Sequence, residues 1–161
     1  MIRVKSFNDF IIEAYDNMSE MKDAAGLAIT CEGKILLIHP TNSSWQKPTL
    51  GIPKGKIEIG ESEWQAALRE VKEEIGLEVP EEFINREPKT FVFFSGNKPK
   101  KTVTYYEVSV PKLESLGLTG PTLPKTMLQT EEVDWAGFIK YEEAYSKIVP
   151  AQKIILDRLK P

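Results

Sequence analysis

The chain holds a single cysteine, Cys31, so an intrachain disulfide is excluded and nothing calls for an oxidising compartment. It has no apolar run of the length that a bilayer demands, and its N-terminal stretch, interrupted by acids, lacks the apolar core of a secretory signal. A cytoplasmic location with no membrane partner is therefore expected. Excess positive charge is missing too: 21 basic residues face 24 acidic ones, a formal balance of −3, so no overall field advertises a nucleic-acid backbone as partner. Internal repeats and low-complexity tracts are absent, which excludes solenoids and arrays. What remains is 161 residues, 41% hydrophobic and 28% charged, enough for the core of one domain and short for two.

Hydrophobic spacing divides the chain. Phe7, Phe10, Ile11 and Tyr15 recur at helical intervals, so Lys5 to Tyr15 is expected as a short amphipathic helix, with Asp16 to Asp23 a polar linker; residues 1–23 form an extension and 24–161 the domain. Ala24 to Thr30 and Lys34 to His39 are apolar and rich in β-formers, which predicts a hairpin across Cys31-Glu32-Gly33. Leu50 to Pro53 is expected as a further short strand. From Glu61 to Ile75 the pattern turns helical, with Trp64, Ala67, Leu68, Val71 and Ile75 on one stripe. Ser62 or Glu61 caps its start, and Gly76 supplies the left-handed stop. Phe91 to Ser95 and Thr102 to Val110 form a second expected hairpin, with Gly96 to Lys101 as its basic tip. Val133 to Ile139 is a strand, Gly117 to Gln129 a loop, and Tyr141 to Lys147 and Ala151 to Leu159 are helices broken at Pro150. The mixture points to an α/β or α+β sandwich.

The acids crowd between Glu58 and Glu82, a density that repels polyphosphate unless a cation intervenes. Glu70, Glu73 and Glu74 stand at i, i+3 and i+4, so their carboxylates are expected on one helix face, opposite the apolar stripe. Such neighbours repel by roughly 0.2 to 0.5 kcal/mol per pair, a cost that a hard divalent cation reverses. Magnesium takes a few carboxylates together with waters and substrate phosphates, which is what this face can offer; manganese is the natural substitute. Just ahead of the helix, Ile52-Pro53-Lys54-Gly55-Lys56 has a glycine that lets backbone approach a ligand and two lysines, Lys54 and Lys56, that can receive phosphate oxygens.

These residues complete a longer pattern: Gly55, five residues, Glu61, seven residues, Arg69-Glu70-Val71, Lys72, Glu73-Glu74, Ile75, Gly76-Leu77. The pattern resembles the Nudix box without a departure. The resemblance implies an αβα sandwich with a mixed β-sheet, in which the box forms a loop, a helix and a second loop. It also implies that Glu70, Glu73 and Glu74 ligate the metal with help from the backbone carbonyl of Lys54 or Gly55. Arg69 and Glu61 resemble the pair that orders the box and orients those glutamates. The family's further base varies in position; Glu132 or Glu131, ahead of Val133-Asp134-Trp135, fits that description, and Glu70, Glu73 or Glu74 can serve instead.

The implied reaction is hydrolysis of a pyrophosphate bond in a nucleoside diphosphate linked to another group. Trp45 followed by Ile52-Pro53-Lys54-Gly55 is most similar to the branch acting on dinucleoside polyphosphates and nucleoside triphosphates. ADP-ribose or nucleotide sugars, removal of a cap at an RNA 5′ end, and a catalytically silent nucleotide-binding module are the alternatives. Monomer and homodimer both remain open. Trp45, in a polar loop, either stacks on a base or packs under the loop. Tyr105, Tyr106 and Phe94 are expected in the core or on a sheet face, His39 as a packing or surface residue, and Lys98 to Lys101 at a solvated tip. Separately, Lys5 to Ala14 resembles the capsid-targeting peptides of large contractile-tailed bacteriophages, trimmed after a glutamate like Glu13; that resemblance implies a phage source, the host cytoplasm and packaging of some copies.

Overall fold

A mixed sheet is assembled around a strand that has almost no polar side chains. The computed structural model describes residues 23–159; the expected helix over Lys5 to Tyr15, the linker that follows up to residue 22 and the phage-like peptide lie outside them. Strand β1 (Ala24–Cys31) is buried along nearly its whole length. It pairs antiparallel with β2 (Lys34–Pro40), antiparallel with β3 (Lys54–Lys56) and parallel with β5 (Lys98–Val110) from Ala24↔Val103 to Cys31↔Val110. With β4 (Lys89–Ser95) beyond β5 and β6 (Val133–Lys140) beyond β2, the order is β4-β5-β1-β2-β6, and β3 pairs with β1 off that path. A strand covered on both faces reads as a continuous apolar run, as β1 does.

Side-chain alternation along β1 divides the core in two. Ala25, Leu27, Ile29 and Cys31 face helix α1 (Glu63–Ile75), meeting Ala66, Ala67, Val71 and Ile75. Ala24 and Ala28 face the other way, toward helices α2 (Tyr141–Lys147) and α3 (Lys153–Leu159), with Ala144, Ile148, Ile155 and Leu156. This is an α/β fold of the expected αβα kind: helix, mixed sheet, helices. Among the described residues no helix is long and apolar enough to cross a membrane.

Several boundaries differ from the sequence reading. The strand expected over Leu50 to Pro53 is displaced to Lys54–Lys56, and Leu50 and Gly51 make only isolated bridges to Ile148 and Ile38. The reason lies in the backbone donors: Pro53 has none, and the Ile52 amide is taken by the Gln152 side chain at 2.9 Å. The second hairpin turns tightly at Gly96-Asn97, so the expected six-residue tip is mostly strand. Helix α1 begins at Glu63 because Ser62 caps it, its hydroxyl accepting from the Gln65 amide while the Gln65 side chain accepts from the Ser62 amide. Gly76 closes the helix at φ 69°, its amide returning to the Lys72 carbonyl. The loop from Gly117 to Gln129 is irregular as expected, pinned to β6 by Leu123 to Ala136 and Phe138 to Pro121.

Candidate active site

Helix α1 and strand β3 meet where a glycine removes the obstacle between them. The register of β3 against β1 sets Gly55 opposite Ala25. A Cβ added at Gly55 would lie 2.0 Å from the Glu70 carboxyl carbon, so only glycine lets the carboxylate tuck against this backbone. Glu70 and Glu74 are consequently part-buried between α1 and β3, whereas Glu73 stands exposed. The sequence reading placed all three opposite the apolar stripe. That corrects to a graded arrangement, because β3 covers the flank of α1 that carries residues 70 and 74.

Arg69 is the organiser of this corner. Its Nε donates to Glu61 Oε2 at 2.6 Å and its Nη2 to Glu61 Oε1 at 2.9 Å, a two-toothed grip that suits a planar guanidinium. Nη1 donates to Glu70 at 2.9 Å and to Glu73 at 3.0 Å, and Nη2 also reaches the Lys56 carbonyl at 2.9 Å. One side chain therefore ties together the loop before α1, strand β3 and two helix acids. The Arg69 hydrogen bonds, aided by the Glu58 amide, hold the Glu61 carboxyl down at about 2, and the same contacts raise Arg69 well above its ordinary value.

Glu74 behaves oppositely. Burial, followed by repulsion from Glu70, pushes its carboxyl up to about 8, against the pull of the Lys54 ammonium and a hydrogen bond from the Lys54 amide; the charge of Glu132 adds to the rise. Glu70 is raised chiefly by burial. Lys54 is lowered to about 8 by its own burial and by Lys101. Glu132 thus sits within electrostatic reach of the acids, and its loop is fixed to the helix end: the Gln129 amide donates to the Glu74 carbonyl, and the Glu132 amide to the Gln129 carbonyl.

A pocket of about 580 Å³ opens beside Lys54, lined by Lys56, Phe93, Phe94, Lys100, Lys101 and Asp23. Lys100 and Lys101 were expected at a solvated tip, and Phe94 in the core or on a sheet face. The tight Gly96-Asn97 turn brings the lysines back along β5 to this pocket, and Phe94 is 52% exposed. Four lysines around one cavity were not legible because two flank Gly55 and two come from a strand some 45 residues on. Trp45 lines a different groove, stacked on His39 rather than beside Lys54. His39 is fully buried and paired with Asp134, so it is a packing residue.

A family model described as the NUDIX domain matches residues 21–159. The chain belongs to the Nudix family. Among curated proteins, it is 42% identical over 52 residues to the ADP-ribose pyrophosphatase of Bacillus subtilis (strain 168), a segment that is 32% of this chain and 28% of that one. It is 37% identical over 54 residues to the bis(5′-nucleosyl)-tetraphosphatase [asymmetrical] of Caenorhabditis elegans, 34% of this chain and 39% of that one. The matched segments thus span well under half of those relatives. Over the whole fold, the crystal structure of a C. elegans Ap4A hydrolase binary complex superposes with a TM-score of 0.61 at 23% identity, covering 86% of this chain and 95% of that chain.

Nudix hydrolases in general use divalent cations. The acids of this Nudix chain fit one in donor chemistry: they are hard oxygen ligands, and Glu74, raised first by burial and then by repulsion from Glu70, lies where a cation would favour its charged form. Glu70 and Glu73 are both turned onto Arg69, and among the described residues no three acidic, histidine or cysteine side chains converge as a ready cage.

Proposed function

We propose that this Nudix chain hydrolyses a pyrophosphate bond in a nucleoside diphosphate linked to another group, with a dinucleoside polyphosphate or a nucleoside triphosphate as substrate. The observation that carries the reading is the Arg69 clamp, which gathers Glu61, Glu70, Glu73 and the Lys56 carbonyl beside part-buried Glu74. Glu70, Glu73 and Glu74, with the Gly55 carbonyl, hold magnesium or, in its place, manganese. The bound cation supplies charge neutralisation of the phosphates and acidifies a water.

The remaining work falls to the protein. Arg69 keeps Glu70 and Glu73 aimed at the site and acts through them. Glu132 takes the proton of the attacking water, with Glu70, Glu73 or Glu74 as the alternatives. Lys54 and Lys56 receive phosphate oxygens, and Lys100 and Lys101 extend the cationic lining along the pocket. Four ammonium groups suit a chain of several phosphates better than the two phosphates of a nucleotide sugar, and that preference favours the polyphosphate substrate. The likeness to an ADP-ribose pyrophosphatase over 52 residues supports a second reading, ADP-ribose or a related compound. Residues 1–23 are proposed as an extension ahead of the catalytic domain, and the cytoplasm as the site of action.

A panel of dinucleoside polyphosphates, nucleoside triphosphates, ADP-ribose and capped RNA, supplied with magnesium and followed by product mass, tests the proposal. Turnover of at least one compound is expected, reduced at least about a hundredfold in Glu73→Gln and Glu74→Gln. Equal rates in wild type and both variants would refute the assignment.

A further inference from the structure

The edge strand β6 carries a second cavity, apart from the one beside Lys54. It is a groove of about 560 Å³ whose lining includes Trp45, Trp135, Lys34, Lys47, Lys140 and Lys147. Glu143 is its only acid, and the Lys147 ammonium is 3.8 Å from it. A chain with a formal balance of −3 thus concentrates four ammonium groups against one carboxylate here. Lys34 and Lys140 are direct cross-strand partners in the β2–β6 ladder. Like charges set opposite one another destabilise a sheet, and a bound anion removes that cost.

The aromatic part of the groove is built as a platform. Trp45 is 60% exposed, yet its ring is fixed from beneath: it lies on His39 at 3.7 Å between ring centres and 4° from parallel. His39 is in turn fixed by Asp134, whose carboxylate lies 2.6 Å from Nδ1 and accepts its hydrogen, while Nε2 is buried without a partner. Trp135 braces the indole edge-on at 5.9 Å and 79°. A tryptophan in a polar loop, stacked on His39 and braced by Trp135, is still 60% exposed, so much of its ring stays open to solvent. The Asp134–His39–Trp45 stack has no part in the carboxylate centre, and the His39 Nε2 left unpaired beneath the indole costs stability that an apolar residue there would not.

We propose that this groove is a second binding site, for a single nucleoside phosphate, with the base on the outer face of Trp45 and the phosphate between Lys34 and Lys140 and reached by Lys47 or Lys147. Of the two indoles Trp45 is the exposed one and Trp135 is half-buried, so the site takes one base and not the successive bases of a single strand. Its volume is that of a small-ligand pocket. The site needs no divalent cation and does not rest on the proposed hydrolysis.

AMP is the probe, titrated in EDTA to the whole chain and followed through the indole N–H resonances of the three tryptophans. Trp45 and Trp135 are expected to shift, and Trp64, which packs against Tyr106 on the α1 side, to stay in place. Trp45→Leu is expected to weaken AMP at least about tenfold, and the Lys34→Gln/Lys140→Gln pair about fivefold, with affinity falling as salt rises. Trp45 and Lys140 are exposed and Lys34 is half-buried, and an unchanged Trp64 resonance shows that each variant is folded. The proposal is overturned if AMP leaves Trp45 unmoved, if either variant binds AMP as wild type does, or if a shift appears at Trp64 alone. Tenfold tighter binding of a 5′-phosphorylated oligonucleotide than of AMP overturns it in favour of an RNA end.

Discussion

The Glu70 carboxyl occupies the space that a Cβ on Gly55 would need, with 2.0 Å between the two centres. Gly55→Ala is therefore expected to expel Glu70 from its place against β3. Overpacking of this kind costs about 1 to 3 kcal/mol, and displacement of a ligand by an ångström costs roughly a hundredfold in rate. Gly55→Ala/Glu70→Ala restores the space without restoring the carboxylate. Thermal melts should then recover in the double variant while turnover stays low; recovery of both would show that Glu70 has no part in the reaction.

Arg69→Lys keeps the charge and loses the fork that grips Glu61 while reaching Glu70 and Glu73. On the proposed reading, in which the guanidinium positions the metal ligands without touching substrate, the loss expected is about ten- to a hundredfold in metal affinity. Titration of magnesium against activity separates this from a purely structural effect, which would lower the maximum rate at saturating metal and leave the half-saturating concentration alone.

The chemistry of the box was open to inspection in the sequence because local spacing fixes it: Ser62, Gln65, Arg69, Glu70, Glu73 and Glu74 all belong to one helix and its cap. The apolar run of β1 likewise announced a strand. What stayed hidden depends on partners far along the chain. Nothing near Leu50 foretells that Gln152 would take the Ile52 amide, and nothing near Lys100 foretells Lys54 as its neighbour. The burial of Glu74 was missed for the same reason, since periodicity gives the direction of a side chain and not what another strand lays over it.

Glu61 supplies a pH test. Its carboxyl is held at about 2 in the folded chain, below the ordinary 4.5. A depressed acid adds stability that is fully present above its unfolded value and is lost as pH falls through the folded one. Wild type should thus melt above Glu61→Gln at pH 7, with the gap closing between about 4.5 and about 2. A gap of constant size from pH 7 to 3 would show that the Arg69 grip does not set the difference.

Magnesium should stabilise the chain by mass action, by about 2.7 kcal/mol at a hundred times its dissociation constant. EDTA should reverse the rise in melting temperature, and Glu74→Gln should abolish most of it. An equal rise in wild type and variant would place the cation elsewhere.

The lysine pocket predicts how substrates are ranked. Lys100→Gln/Lys101→Gln should raise KM for a dinucleoside tetraphosphate about tenfold or more and change that for ADP-ribose less, because the extra phosphates are what those ammonium groups meet. Parallel changes for both compounds would favour the nucleotide-sugar reading.

The hydrogen bond from the Ile52 amide to Gln152 spans 100 residues and secures the backbone immediately ahead of Lys54 and Gly55. During synthesis, all the acids of the box leave the ribosome long before that latch exists. The emerging chain accordingly carries these carboxylates in advance of part of the scaffold beside them, and the backbone ahead of Gly55 is latched only once Gln152 has been made.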